Sequence, residues 1–166
     1  MKIAKVLVAA AMTSVLSVSA LADNHGMKDD KGFTVYRSEP GKATEMLAEA
    51  VAYMQEHSSE RAFAAFNNQA GHFHKNDLYV FVVGIDDGVM HAHGGAPEAI
   101  VGDNVLELTD AAGTKIIQTM LAKVKRDGEG AVDYVWLNRV TNKVENKTSN
   151  VKRVGNFMVG VGFYTK

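Results

Sequence analysis

The chain has 166 residues, of which 46% are hydrophobic, and a formal net charge of −1 at pH 7. This length suits one folded domain with its own core. The near balance of charge offers no bulk attraction for nucleic acid or anionic lipid, and the absence of cysteine excludes disulfides and thiol chemistry.

The first 22 residues have the form of a secretory signal peptide. Lys2 and Lys5 give a positive start, Val6–Val18 is apolar, and Ala20-Leu21-Ala22 is a small-x-small cleavage sequence. The apolar stretch is too short for a membrane anchor, and no second run approaches the length of a span. We therefore predict cleavage after Ala22, a periplasmic or secreted protein, and no membrane span after signal removal.

A flexible leader and a long helix come next. Residues 23–41 predict a flexible leader, polar and rich in Asp, Lys and Gly at its start, with a short extended piece at Phe33–Tyr36. Lys42–Asn67 has apolar residues at helical spacing, with a break expected near His57-Ser58-Ser59. Pro40-Gly41 marks the region where this helix begins.

Strands and a second helix follow. Asn76–Ile85 predicts a strand, Asp86-Asp87-Gly88 a hairpin turn and Val89–His93 a second strand. The Gly- and Pro-containing segment Gly94–Leu108 predicts a long loop of the kind that often covers a site. Thr114–Arg126 then predicts a helix, with Asp110 as a candidate N-terminal cap and Gly128 as its end.

Three strand-like runs close the chain, at Gly130–Asn138, Lys147–Gly155 and Phe157–Tyr164. The order of elements predicts an α+β domain built on an antiparallel sheet, with the helices on one side.

This order of segments resembles the single Cache domain family, the PAS-like extracytoplasmic sensor modules of bacteria. The resemblance rests on Asp77–Val82, Asp86–His93, Val101–Asn104, Asp110–Gly113, Gly128–Trp136, Lys147–Ser149 and Gly160–Tyr164. It implies a PAS-like antiparallel sheet of about five strands with a long N-terminal helix. A second helix would lie in the connection between the second and third strands. Residues 42–166 are expected to form this one domain.

The family resemblance also implies a function. Its members usually sense small molecules, often short organic acids, in a pocket between the sheet and the long loop, and many are outer parts of membrane receptors. Here the resemblance implies a small organic anion as ligand, no cofactor, and a membrane sensor or receptor as partner to read the bound state. The ligand-binding residues would be Tyr134, Trp136, Lys147, His91, His93, Tyr79 and Arg61.

Some of these residues have a chemical rationale of their own. Tyr134 and Trp136 are two apart on a strand, so both point to one face and offer O–H and N–H donors to a carboxylate. Lys147 is a point charge that suits a small anion. Gly94 and Asn150 stand near the expected pocket where relatives tend to have Pro and Tyr.

Two other functions remain open. His72 with His74 and His91 with His93 form two H-x-H pairs, and four imidazoles brought together would hold zinc, copper or nickel. A structural or partner-binding module with its pocket closed by its own side chains is the other alternative. An enzyme is not expected, since no G-x-S-x-G, Gly-rich phosphate loop or H-E-x-x-H occurs.

Overall fold

The structure is a computed structural model that describes residues 27–28, 32, 34–35 and 37–165. The predicted signal peptide lies outside the described residues, as do residues 23–26, 29–31, 33 and 36 of the predicted leader. Within the leader, Met27–Lys28 (β1) pairs antiparallel with Thr34–Val35 (β2).

The long predicted helix is two helices with a break where the sequence indicated it. The first, α1, runs over Pro40–Glu56, and the second, α2, over Ser59–Asn67. Pro40 occupies the first turn of α1, where its missing N–H costs nothing. Ser58 caps α2 by accepting a hydrogen bond from the Arg61 backbone N–H at 3.4 Å.

The remaining strands form one antiparallel sheet, which confirms the predicted α+β architecture. Its strands are His74–Lys75 (β3), Leu78–Gly84 (β4), Met90–His93 (β5), Glu129–Asn138 (β6), Lys143–Val154 (β7) and Phe157–Tyr164 (β8). The neighbour order is β3-β4-β8-β7-β6, and β5 also pairs with β4. The last three strands form a meander, and Asn142 and Gly155 supply the positive φ angles of its two turns.

The connection from β5 to β6 carries Pro97–Ile100 (α3) and Ile116–Asp127 (α4). Gly128 ends α4 in the left-handed conformation, as predicted. Asp110 is not the helix cap, because Lys115 occupies that position. Instead, Asp110 Oδ1 accepts backbone N–H groups of Ala112 and Thr114 at 2.9 and 2.7 Å, which closes a turn ahead of the helix.

Helices cover both faces of the sheet, so the expectation of helices on one side is wrong. Every residue of β4 is buried, which is the pattern of a strand covered on both faces. The even-numbered β4 residues Leu78, Val80 and Val82 pack with α1 and α2. Phe81 and Val83 pack with α4 and the loop before it.

These two layers define a helix face, covered by α1 and α2, and a loop face, covered by the 94–115 loop and α4. Among the described residues, no helix combines the length and apolar character needed to cross a membrane.

Candidate functional site

A small apolar cavity lies on the loop face of the sheet. Its lining residues come from β4, β5, the loop, α4 and β6: Tyr79, Phe81, Met90, His93, Ile100, Leu108, Ile116, Ile117, Met120, Tyr134 and Trp136. Its volume of about 20 Å³ is close to what one water molecule needs. An organic ligand would therefore require the covering side chains to move.

An open groove adjoins this cavity and shares His93, Ile100 and Trp136 with it. The groove has a volume of about 350 Å³ and runs between the loop and the end of β6. Leu137 and Val144 line it from the sheet, and both are exposed hydrophobic residues. These three shared residues form the wall between the groove and the cavity.

Lys147 lies beside the cavity as a fully buried lysine, with 1% relative exposure. Its Nζ donates to the hydroxyl oxygen of Tyr79 at 2.8 Å and lies 3.5 Å from that of Tyr164. The same nitrogen stands 4.0 Å from the Tyr79 ring centroid and 4.5 Å from that of Tyr164. A buried amine enclosed by two phenols is an uncommon arrangement that marks a site candidate.

The strand register creates this arrangement. Lys147 on β7 is the direct partner of Tyr134 on β6 and of Tyr164 on β8, so the three side chains point to the same face. Ser149, two residues further along β7, shares that face and accepts or donates a 2.8 Å hydrogen bond with the Tyr134 hydroxyl. The Tyr164 hydroxyl donates to the Leu137 carbonyl at 2.8 Å.

Burial sets the charge state of Lys147. Loss of solvent lowers the pKa of Lys147 from 10.5 to about 7, and the negative charge of Asp77 acts in the opposite direction. Asp77 is itself 3% exposed. Its Oδ1 accepts the Ser38 N–H at 2.9 Å, whereas its Oδ2 has no hydrogen-bond partner among the described residues.

His93 brings a neutral imidazole to the cavity. Burial and the nearby positive charge of Lys147 lower the pKa of His93 to about 3. Its Nδ1 accepts the Ala96 N–H at 3.0 Å, so in the neutral ring the proton is on Nε2. His93 is therefore a hydrogen-bond donor next to Tyr79, whose ring centroid is 4.8 Å away.

Comparisons with known proteins place this geometry in a family. The family model described as "Cache domain" matches residues 31–166. The chain belongs to the Cache domain family. Cache domains are extracytoplasmic sensor domains that bind small ligands, and the PAS-like antiparallel sheet is their architecture.

Three solved structures share this fold at low sequence identity. A methyl-accepting chemotaxis protein from Vibrio parahaemolyticus has a TM-score of 0.62 at 18% identity, covering 75% of this chain and 86% of that one. A periplasmic sensor domain of a chemotaxis protein gives 0.55 at 21%, covering 76% and 90%. A Cache chemosensory domain studied for carboxylic acid recognition gives 0.58 at 23%, covering 76% and 88%. A search of curated protein sequences found no match.

In this Cache domain the structure brings together five of the seven predicted ligand-binding residues. Four of them line the cavity, namely Tyr79, His93, Tyr134 and Trp136, and Lys147 touches it through Tyr79. Tyr134 and Trp136 share a face as expected, with ring centroids 6.2 Å apart. Burial raises the pKa values of Tyr79 and Tyr134, so both phenols stay protonated donors.

Arg61 and His91 are not in this group. Arg61 is exposed on α2, the helix that covers the opposite face. His91 is the extra residue of a β-bulge, where the register shifts between Val82 and Val83. The bulge turns its ring toward Phe63 and Phe157, at centroid distances of 5.2 and 5.3 Å, so His91 and His93 do not share a face.

The four-histidine metal site does not form. His72 is exposed and bonded to Glu49 at 2.8 Å, His74 lies on β3, and the bulge separates His91 from His93. Within the described part of the chain, no three His, Cys, Asp or Glu side chains are grouped to hold a metal ion.

No sequence pattern was used to predict Asp77, Ser149 or Tyr164 as neighbours of Lys147. The period-two alternation along β7 would have placed Ser149 on the same face as Lys147. The position of Tyr164 follows only from the register between β7 and β8. Asn150 was expected near the pocket and is not there. It points to the helix face, where its Nδ2 donates to the Thr44 hydroxyl at 3.3 Å.

Proposed function

We propose that this Cache domain is an exported sensor module that binds a small organic acid beneath the 94–115 loop and acts through a partner protein. The observation that carries the proposal is the buried Lys147 amine beside an apolar cavity, whose hydrogen-bond partners among the described residues are two phenols. A buried lysine without a carboxylate partner is costly for stability, and groups kept at such a cost are concentrated at functional sites.

The site offers donors at one end and apolar surface at the other. The carboxylate would be held by the Lys147 amine, the Tyr79 hydroxyl and the His93 Nε2–H, all groups that donate to an anion. The alkyl part would lie against Phe81, Ile117 and Met120, which are buried in the same layer. This polarity suits a short acid with a small apolar group.

Binding requires the loop to open, because the cavity now holds about one water molecule. The loop is fastened near its two ends and also in its middle, where the Gly102 and Val105 N–H groups donate to the Met90 and Gly88 carbonyls at 2.8 Å. Ala96 N–H donates to His93 at its start, and Asp110 Oδ2 accepts the Val135 N–H at 3.0 Å near its end. The largely exposed stretches between these three anchors are the parts of the loop suited to open as a lid.

A thermal-shift screen of the purified chain with sodium acetate, propionate, pyruvate, lactate and succinate tests the proposal. A ligand that binds only the folded state raises the melting temperature. We expect at least one acid to do so, and Lys147→Met to abolish the shift. Lys143→Met, an exposed lysine at the start of the same strand, is the matched control and should keep it.

The nearly closed cavity favours a second candidate, a structural or partner-binding module whose pocket is filled by its own side chains. In that case no acid raises the melting temperature of the wild type, and Lys147→Met and Lys143→Met respond alike. That result would reject the acid-binding function.

A further inference from the structure

The groups that surround the Lys147 amine also determine its charge. Its hydrogen-bond partners are the two phenols of Tyr79 and Tyr164, and among the described residues it forms no ion pair with a carboxylate. The amine is enclosed to 1% exposure, so solvent cannot screen a charge placed on it. The charge state of this nitrogen therefore depends on the few groups around it.

The charged and titratable groups around Lys147 come from five elements. They are Tyr134 and Arg139 of β6 and its turn, Glu145 of β7, the neutral His93 of β5, Tyr164 of β8, and Tyr79 of β4 with Asp77 just before it. The residues of α4 that pack on the loop face are apolar. Asp77 is therefore the only nearby carboxylate in the described structure found to favour the charged amine.

We propose that binding of a carboxylate at this site is coupled to the uptake of a proton by Lys147. The inference rests on the proposed function and concerns how that site is regulated. The carboxylate arrives as an anion and the amine takes H⁺ from solvent, so that the bound state contains an ammonium–carboxylate pair. The site would therefore respond to acid concentration and to pH together.

The number of protons taken up on binding depends on the charge of Lys147 in the unliganded site. Burial leaves Lys147 about half neutral near neutral pH, and an anion in contact restores the charged form. At a pH of about 8 nearly one proton accompanies each ligand, whereas at a pH of about 6 almost none does. The affinity is then expected to fall about tenfold between these two conditions.

Isothermal titration calorimetry with sodium propionate, repeated in phosphate, HEPES and Tris, measures the proton uptake directly. We expect the observed enthalpy to vary with the buffer ionisation enthalpy at a pH of about 8 and to become nearly independent of it at a pH of about 6. Propionate binding with no proton uptake at either pH, or with proton release, would overturn the inference and leave the proposed function intact. A protein that binds none of the organic acids would overturn both this inference and the proposed function.

Asp77→Asn provides an independent check that preserves the hydrogen bond to Ser38, since an amide oxygen also accepts. Loss of the Asp77 charge removes support for the ammonium, so this variant should take up more protons at a pH of about 7 and bind propionate several-fold more weakly. Asp103→Asn, on the exposed part of the loop, is the matched control. Equal proton uptake in the two variants would contradict the inference.

Discussion

A Cβ atom on Gly162 would collide with Cε of Lys147. The two residues lie on adjacent strands, and Gly162 is the direct partner of Ser149, two residues beyond the lysine. The absence of a side chain at this point leaves the space through which the lysine stem reaches Tyr79. Gly162 therefore determines where the amine lies, although it has no side chain to contact the amine.

Gly162→Ala should destabilise the domain by about 1–3 kcal/mol, because the methyl group overpacks a site with no free volume. It would also collide with the Ser149 hydroxyl. Gly41→Ala is the control, since a Cβ there meets nothing and lies in helix α1; it should be neutral or slightly stabilising. Urea unfolding of both variants measures the difference, and equal stabilities would contradict the role given to Gly162.

Lys147→Met should stabilise the unliganded protein at neutral pH. The folded-state pKa of Lys147 is about 7 against 10.5 in a free lysine, so the unfolded chain binds the extra proton between these values. Wild-type stability therefore rises with pH through this window, and the full cost of burial is present below it.

Methionine removes that cost, and we expect a gain of about 1–3 kcal/mol at a pH of about 6.5 that shrinks toward a pH of about 10. Urea unfolding over this pH range provides the measurement, with Lys143→Met as control. A variant less stable than wild type at every pH would show that the amine contributes to folding.

His93 should make the protein sensitive to acid. Its folded-state pKa is about 3 against 6.5 for a free histidine, so between these values the unfolded chain takes up a proton that the folded chain does not. Stability is therefore complete above a pH of about 6.5 and falls by up to about 1.4 kcal/mol per pH unit below it.

His93→Gln keeps an acceptor for the Ala96 N–H and cannot titrate, so its stability should fall less steeply with acid than that of the wild type. Urea unfolding of both proteins between a pH of about 4 and about 7 gives the two slopes. Parallel slopes would mean that His93 becomes protonated without unfolding.

Asp110→Ala should loosen the end of the loop. The carboxylate accepts N–H groups of Ala112, Thr114 and Val135, and these bonds hold the pKa of Asp110 below its usual value. Hydrogen exchange at the Val135 amide should become about tenfold faster, which corresponds to one lost hydrogen bond. Asp103→Ala is the control, and unchanged exchange in Asp110→Ala would show that the loop is held by its apolar contacts.

The sequence predicted the elements well because each has a local signal. The helix break at Ser58, the end of α4 at Gly128 and the meander turn at Asn142 all follow from short-range chemistry. The uninterrupted apolar run of β4 also signalled helices on both faces, which the expected one-sided packing overlooked.

The site was only partly predictable because it depends on register and irregularity. The Val89–His93 segment looks like a regular strand, so alternation placed His91 and His93 on one face, and the bulge is not visible in its residue types. Tyr164 is brought to Lys147 by the pairing of β7 with β8, and Asp77 lies just before β4, which is distant in sequence. Such neighbours follow from strand order, which periodicity does not give.

The bulge in β5 also ties the two layers of the domain to one another mechanically. Asn67, at the end of α2, donates to the His91 carbonyl at 3.5 Å and accepts the His93 N–H at 2.8 Å. Its amide therefore forms hydrogen bonds on both sides of the bulge. The His93 side chain extends from this hydrogen-bonded segment into the cavity, whereas the His91 ring is stacked on Phe63 of α2. A small displacement of the His93 ring would therefore be transmitted to the last turn of α2, on the opposite face of the sheet.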